Sequence, residues 1–119
     1  MELLTRLLLA AITFIWPGCV PAETEFVATA YSLNGLTASG TVARRGIVAA
    51  DPDVLPLGTK IKVSRAGKYS GIYRVEDTGS AINGYMIDIK MGSYNEAMNF
   101  GRRKVLIEVV DGPRNCFYD

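Results

Sequence analysis

The feature that most restricts this chain is its punctuation. Apolar residues come in runs of four to seven, each cut by glycine, proline or aspartate, and only one short stretch has helical spacing. Thr59-Lys60-Ile61-Lys62-Val63 is the clearest run, apolar at every second residue, which is the period of a strand with one face buried. Similar runs span Glu25 to Tyr31, Gly46 to Ala50, Ile72 to Glu76, Tyr85 to Met91 and Lys104 to Val110. Between them, Asp51-Pro52 starts a turn that proline cannot carry as a ladder, Leu55-Pro56-Leu57-Gly58 is a tight turn, and Gly67 to Gly71 is a polar one. Ser93 with Glu96 three residues on is a capping-box pair, so a helix runs through Ala97, Met98 and Phe100 and stops at Gly101. Six short strands and one short helix predict a mainly β domain. Closure into a small barrel is how so many short strands avoid exposed edges.

Length allows one domain: 119 residues are enough for a single core and too few for two. A net charge of +1 gives no electrostatic case for a nucleic-acid partner. The chain has no histidine, which excludes Ser-His and Cys-His nucleophiles and every histidine-based metal site. Carboxylates are left as the acid/base groups near neutral pH.

The first residues read as an export signal rather than as part of the fold. Leu7 to Trp16 is an apolar run, and Val20-Pro21-Ala22 supplies small residues where a signal peptidase cuts, so residues 1–22 are expected to be removed after Ala22. The run is short of the roughly 20 residues of a membrane span, although an uncleaved anchor is the alternative. Cys19 in Trp16-Pro17-Gly18-Cys19 is a poor match to a lipid attachment box. With cleavage, Cys116 is a lone thiol; without it, a Cys19–Cys116 bond is open. The expected domain is therefore 23–112, followed by a tail, 113–119.

Chemistry is expected between Val75 and Ile89. One run delivers Asp77 to a Thr78-Gly79-Ser80 turn, and the next carries Asp88 between Ile87 and Ile89. If these runs are neighbouring strands, with turns allowed at Gly79 and Gly84, both carboxylates share one cleft. Asp77-Thr78-Gly79-Ser80 also matches the catalytic turn of aspartic proteases, but it comes late in the chain, after Glu76, with little room for a flap. The plainer readings are that Asp77 and Asp51 bond backbone amides in turns and that Asp88 sits on a solvated strand face. The dense oxygen spacing of a calcium loop is absent, and neither metal nor cofactor is expected.

Seven strings in order carry a resemblance: Ala28-Thr29-Ala30-Tyr31, Val48-Ala49-Ala50-Asp51-Pro52, Leu55-Pro56-Leu57-Gly58-Thr59, Glu76-Asp77-Thr78-Gly79, Ile82-Asn83-Gly84, Ile87-Asp88-Ile89 and Phe100-Gly101-Arg102-Arg103. Together, from about Phe26 to Val110, they resemble the 3D domain, named for three aspartates, of membrane-bound lytic transglycosylase A and of small secreted stationary-phase survival-type cell-wall proteins. The resemblance implies a six-stranded double-psi β-barrel acting on peptidoglycan glycan strands, exported to the periplasm or the extracellular wall. Its three aspartates fall on Asp51, Asp77 and Asp88. Asp88 is then the catalytic acid/base, Asp77 its electrostatic support and Asp51 the more architectural of the three, though still placed among substrate-binding residues. Ser80 and Ala50 depart from the family pattern, and the second domain that gives the larger enzyme its groove is missing.

The implied reaction is cleavage of the MurNAc–GlcNAc β-1,4 bond by the sugar's own C6 hydroxyl, leaving a 1,6-anhydro end. One carboxyl can serve both proton transfers, so Asp88 is expected to start protonated, its pKa raised by apolar flanks and by Asp77. Tyr31 can stack on a sugar or fill the barrel rim, and Thr78 and Gly79 can bond substrate from the turn. Lys60 and Arg74 can meet substrate carboxylates or simply lie on solvated faces. The rival expectations are a wall-binding barrel without turnover and an accessory domain that works with a larger partner, since expansin-like barrels share this architecture.

Overall fold

The computed structural model describes residues 22–112. The expected export signal, with Cys19, and the expected tail, with Cys116, lie outside these described residues, apart from Ala22. Six strands are present: β1 Thr24–Tyr31, β2 Ile47–Ala50, β3 Lys60–Ser64, β4 Gly71–Asp77, β5 Met86–Lys90 and β6 Arg103–Asp111. One helix, α1, spans Tyr94–Phe100, and the expected polar turn before β4 holds a single 3-10 turn at Gly67–Tyr69. Each element falls within two residues of its expected position at either end.

The strands close into a barrel in the order β1-β5-β2-β4-β3-β6. Two of the six pairings are parallel, β1 with β5 and β2 with β4, and the rest are antiparallel. This is the mixed, closed, six-stranded double-psi architecture implied by the resemblance. It also corrects one expectation: β4 and β5 are not neighbours, because β2 lies between them and pairs with both. A crossover of this kind is set by long-range pairing and leaves no periodic trace in the sequence.

Alternation explains which side chains fill the barrel. Ile61 and Val63 on β3, Ile87 and Ile89 on β5, and Val105 and Ile107 on β6 are all buried, joined by Phe26 and Ala28 from β1. Each large side chain so placed contributes about 1.5–3 kcal/mol of burial. β2 departs from alternation, since Ile47, Val48, Ala49 and Ala50 are all buried. A strand buried along its whole length reads as a continuous apolar run rather than an alternating one.

The caps match their sequence signals. Ser93 Oγ accepts from Glu96 N at 3.1 Å, and Gly101, at φ 68°, donates its N–H to Ala97 O to end the helix. The Glu96 carboxylate bonds Gly92 N at 3.0 Å, one residue before the cap. Phe100 then packs into the core and meets Tyr69 edge-on at 5.3 Å.

Candidate functional site

β2 organises the site. Ala49 is opposite Asp77 on one neighbour and opposite Asp88 on the other, and Asp88 is in turn opposite Thr29 of β1. The four residues Thr29, Asp88, Ala49 and Asp77 therefore make one row across four strands. Asp77 reaches that row through a bulge: Val48 pairs with Val75, the next pairing jumps to Ala49 with Asp77, and Glu76 is passed over. Two strand spacings put the Asp77 and Asp88 backbones about 9–10 Å apart. Between them Ala49 offers only a methyl, leaving room for a ligand.

A cavity of about 310 Å³ opens over this row. It brings together five residues expected from the sequence, Tyr31, Asp77, Thr78, Gly79 and Asp88, and is also lined by Leu33, Leu36 and Ile82. Asp51 is outside this lining. Its carboxylate accepts from Asp53 N at 2.9 Å and from Gly84 N at 2.8 Å, tying the turn after β2 to the turn before β5. Those bonds, Gly84's first, hold the Asp51 pKa below the ordinary value. Lys60 and Arg74 are also outside the lining, paired with each other on β3 and β4.

The two cleft carboxylates are differently employed. Asp77 Oδ1 accepts from Ala38 N at 3.0 Å and Thr78 N at 2.9 Å, so it pins both the covering loop and its own turn. Asp88 is half-buried and accepts one bond, from Thr29 Oγ1 at 2.8 Å. Burial pushes the Asp88 pKa up, the Thr29 bond pulls against it, and the charge of Asp77 adds a smaller upward push. Burial thus outranks Asp77 as the cause, as two intervening strand spacings require.

Tyr31 is the third polar group at this centre. Its hydroxyl is fully buried and has no partner in full hydrogen-bonding geometry among the described residues, although it lies close to Asp77. Burial first, then the charges of Asp77 and Asp88, drive the phenol far above its ordinary range, so it stays a neutral donor.

Two contributors have no role in the sequence reading. Thr29 lies inside a recognised string but carries no chemical signal of its own. Glu76 is 5% exposed. Its carboxylate gathers Thr41 Oγ1 at 2.7 Å, Arg44 Nη2 at 2.7 Å and, more loosely, Ser39 Oγ at 3.5 Å, all from the loop over the cleft. Burial raises its pKa, but the bonds from Thr41 and Arg44 and the charges of Arg44 and Arg74 outweigh it, and the net shift is downward. The available signal was the cluster of hydroxyls in that loop, Thr37, Ser39 and Thr41, which bond one another as well.

Among the described residues no group of three or more His, Cys, Asp or Glu side chains is placed to hold a metal ion. No helix among them is long and apolar enough to cross a membrane.

A closed mixed barrel with a carboxylate-lined cleft over its second strand defines the class, a double-psi barrel with a polar site. The family model described as the 3D domain matches residues 46–111, more than half of the chain. The chain belongs to the 3D domain family. It is similar to the cell wall-binding protein YocH of Bacillus subtilis, 35% identical over 98 residues, covering 75% of this chain and 33% of that one. The chain spans between 22% and 40% of the length of the curated relatives it matches. Among solved structures it resembles the lytic transglycosylase MltA of E. coli, with a TM-score of 0.53, 21% identity, and coverage of 65% of this chain and 27% of that one. It also resembles the Streptomyces papain inhibitor, with a TM-score of 0.56, 19% identity, and coverage of 77% and 99%. At these identities the structural likenesses establish the fold alone.

Proposed function

We propose that this chain is an exported lytic transglycosylase acting on peptidoglycan, with Asp88 as its single acid/base. The observation that carries the reading is the environment of Asp88. It is a half-buried carboxyl with a raised pKa, fixed by Thr29 and facing a cleft next to a second acid that is already committed to backbone amides. A carboxyl whose environment favours its protonated form can give that proton to the glycosidic oxygen as the C–O bond breaks. The resulting carboxylate then accepts the C6 hydroxyl proton as that oxygen closes on the anomeric carbon, forming the 1,6-anhydro ring. The proton lost in the first step is recovered in the second, so one carboxyl suffices where a hydrolase needs two. Asp77 steadies positive charge developing at the anomeric carbon, and the Tyr31 hydroxyl donates to a substrate oxygen.

Purified peptidoglycan is incubated with the protein and soluble products are read by mass spectrometry. Products ending in 1,6-anhydro-MurNAc, lost with Asp88→Asn, are expected. Reducing ends instead would make water the nucleophile and give Asp77 a direct role.

A second reading, a wall-binding module without turnover, is favoured by the similarity to YocH, which is named for binding the cell wall. It predicts no soluble products and co-sedimentation with the wall that survives Asp88→Asn.

A further inference from the structure

Toward the opposite end of β2 there is a second depression. Two cavities of about 410 and 570 Å³ adjoin there, a two-part groove divided by the walls they share, Lys68, Tyr69 and Glu96. No residue of this groove lines the Asp77–Asp88 cleft.

The groove is positive and its cations are unequally spent. Arg45 is held by Glu96 through bonds of 2.7 and 3.3 Å, and the Tyr69 hydroxyl donates to the same carboxylate at 3.0 Å. With Arg45 first and Gly92 N next, these bonds keep Glu96 ionised, its pKa held down at about 2. Lys68 and Arg103 have no such partner: the ion pairs among the described residues are Arg44–Glu76 and Arg45–Glu96. Instead both cations lie against rings. The Arg103 guanidinium is 4.2 Å from the centre of Phe100 and the Lys68 amine 5.3 Å from that of Tyr69. Arg103 uses Nε on Phe100 O, leaving the outer edge of its fork for a ligand.

We propose that this groove binds the free carboxylates of a short acidic peptide, the peptide stem carried by a glycan strand in the cleft. The proposal rests on the peptidoglycan reading above. Gly46, in the turn that enters β2 and in the groove, and Ala49, in the cleft, are three residues apart, at most about 11 Å. A stem leaving a sugar in the cleft reaches that far. Exposed Ile72 and half-buried Tyr69 line the same cavity as Lys68 and give its small apolar side chains a surface there. A regular polyphosphate fits less well, because Glu96 places a fixed negative charge in the middle of the groove.

Calorimetric titration of the full chain with four probes tests this: a disaccharide tetrapeptide, the same disaccharide without peptide, the free tetrapeptide, and poly(glycerol phosphate). The peptide-bearing fragment is expected to bind roughly tenfold tighter than the bare disaccharide, the worth of one charged hydrogen bond. Lys68→Glu, at an exposed position, removes most of that difference and leaves bare disaccharide binding unchanged; Arg103→Gln does the same if its fold is intact by circular dichroism. Free tetrapeptide binding without disaccharide binding would keep the groove and remove the glycan reading of the cleft. Equal affinity for the two fragments, an unaffected Lys68→Glu, or binding of poly(glycerol phosphate) in place of the peptides would overturn the proposal.

Discussion

Asp77 and Asp88 flank the same residue, Ala49, from strands that run on either side of it. The arrangement separates two carboxyls that a shared-proton dyad would hold at contact, and lets their environments differ. Asp77 Oδ1 takes two backbone amides, whereas Asp88 Oδ1 takes one hydroxyl, from Thr29.

Asp88→Asn is expected to lower turnover on peptidoglycan by about 10²–10⁴, the range of a lost acid/base. It should also stabilise the protein near pH 7, because Asn keeps an acceptor for Thr29. The sign follows from the raised pKa: the folded state holds this proton more tightly than the unfolded chain. Folding stability is therefore lost as pH climbs from the unfolded value, about 3.9, through the folded one. Urea unfolding at pH 3 and pH 7 checks it, with the variant's gain present only at the higher pH.

Tyr31→Phe removes a buried hydroxyl that has no partner in full hydrogen-bonding geometry among the described residues, with Asp77 close by. Melting temperature should hold or rise slightly, since an unsatisfied buried group is a cost. Glycan affinity should fall by about two- to tenfold if the hydroxyl bonds substrate. A large loss of stability would instead mean that the free protein already uses it.

Glu76→Gln should loosen the loop over the cleft. The loss is expected at about 1–2 kcal/mol, at the low end for a buried ion pair because Arg44 is half exposed. Hydrogen exchange at Thr37 and Ser39, whose amides bond Thr41 O and Glu76 O, should quicken more than in β3. The native carboxylate has a lowered pKa, so its stabilisation is present above the unfolded value and fades as pH falls; the variant's deficit should shrink in acid.

Asp51→Ala leaves the amides of Gly84 and Asp53 without their acceptor and should cost about 1–2 kcal/mol by urea unfolding. If Asp51 only shapes the turns, glycan affinity at a temperature where the variant is folded should be unchanged. A selective loss of affinity would return it to the binding residues.

Local signals carried the sequence reading a long way. Alternation placed Ile61 and Val63, and Ile87 and Ile89, toward the core; Ser93 and Gly101 marked the helix ends. These depend on neighbours within a few residues. What was not legible depends on residues far apart in the chain. The insertion of β2 between β4 and β5 follows from pairing Ala49 with residues 28 and 39 positions away. The bulge that passes over Glu76 has no composition of its own, and Thr29 gains meaning only when Asp88, 59 residues later, lands beside it. Asp51, grouped by resemblance with the substrate contacts, is placed by its two amide bonds in a turn outside the cleft.

The pairing of β1 with β6 has a consequence for how the barrel is used. Thr24 lies opposite Ile107, and β6 runs on only to Asp111, so chain enters and leaves the barrel at one corner. Thr29 is five residues further along β1, about 17 Å away. Polypeptide joined at either end of the barrel meets it at that corner rather than beside Thr29. The barrel is in this sense portable, a unit that can be carried in different longer proteins with its own site open.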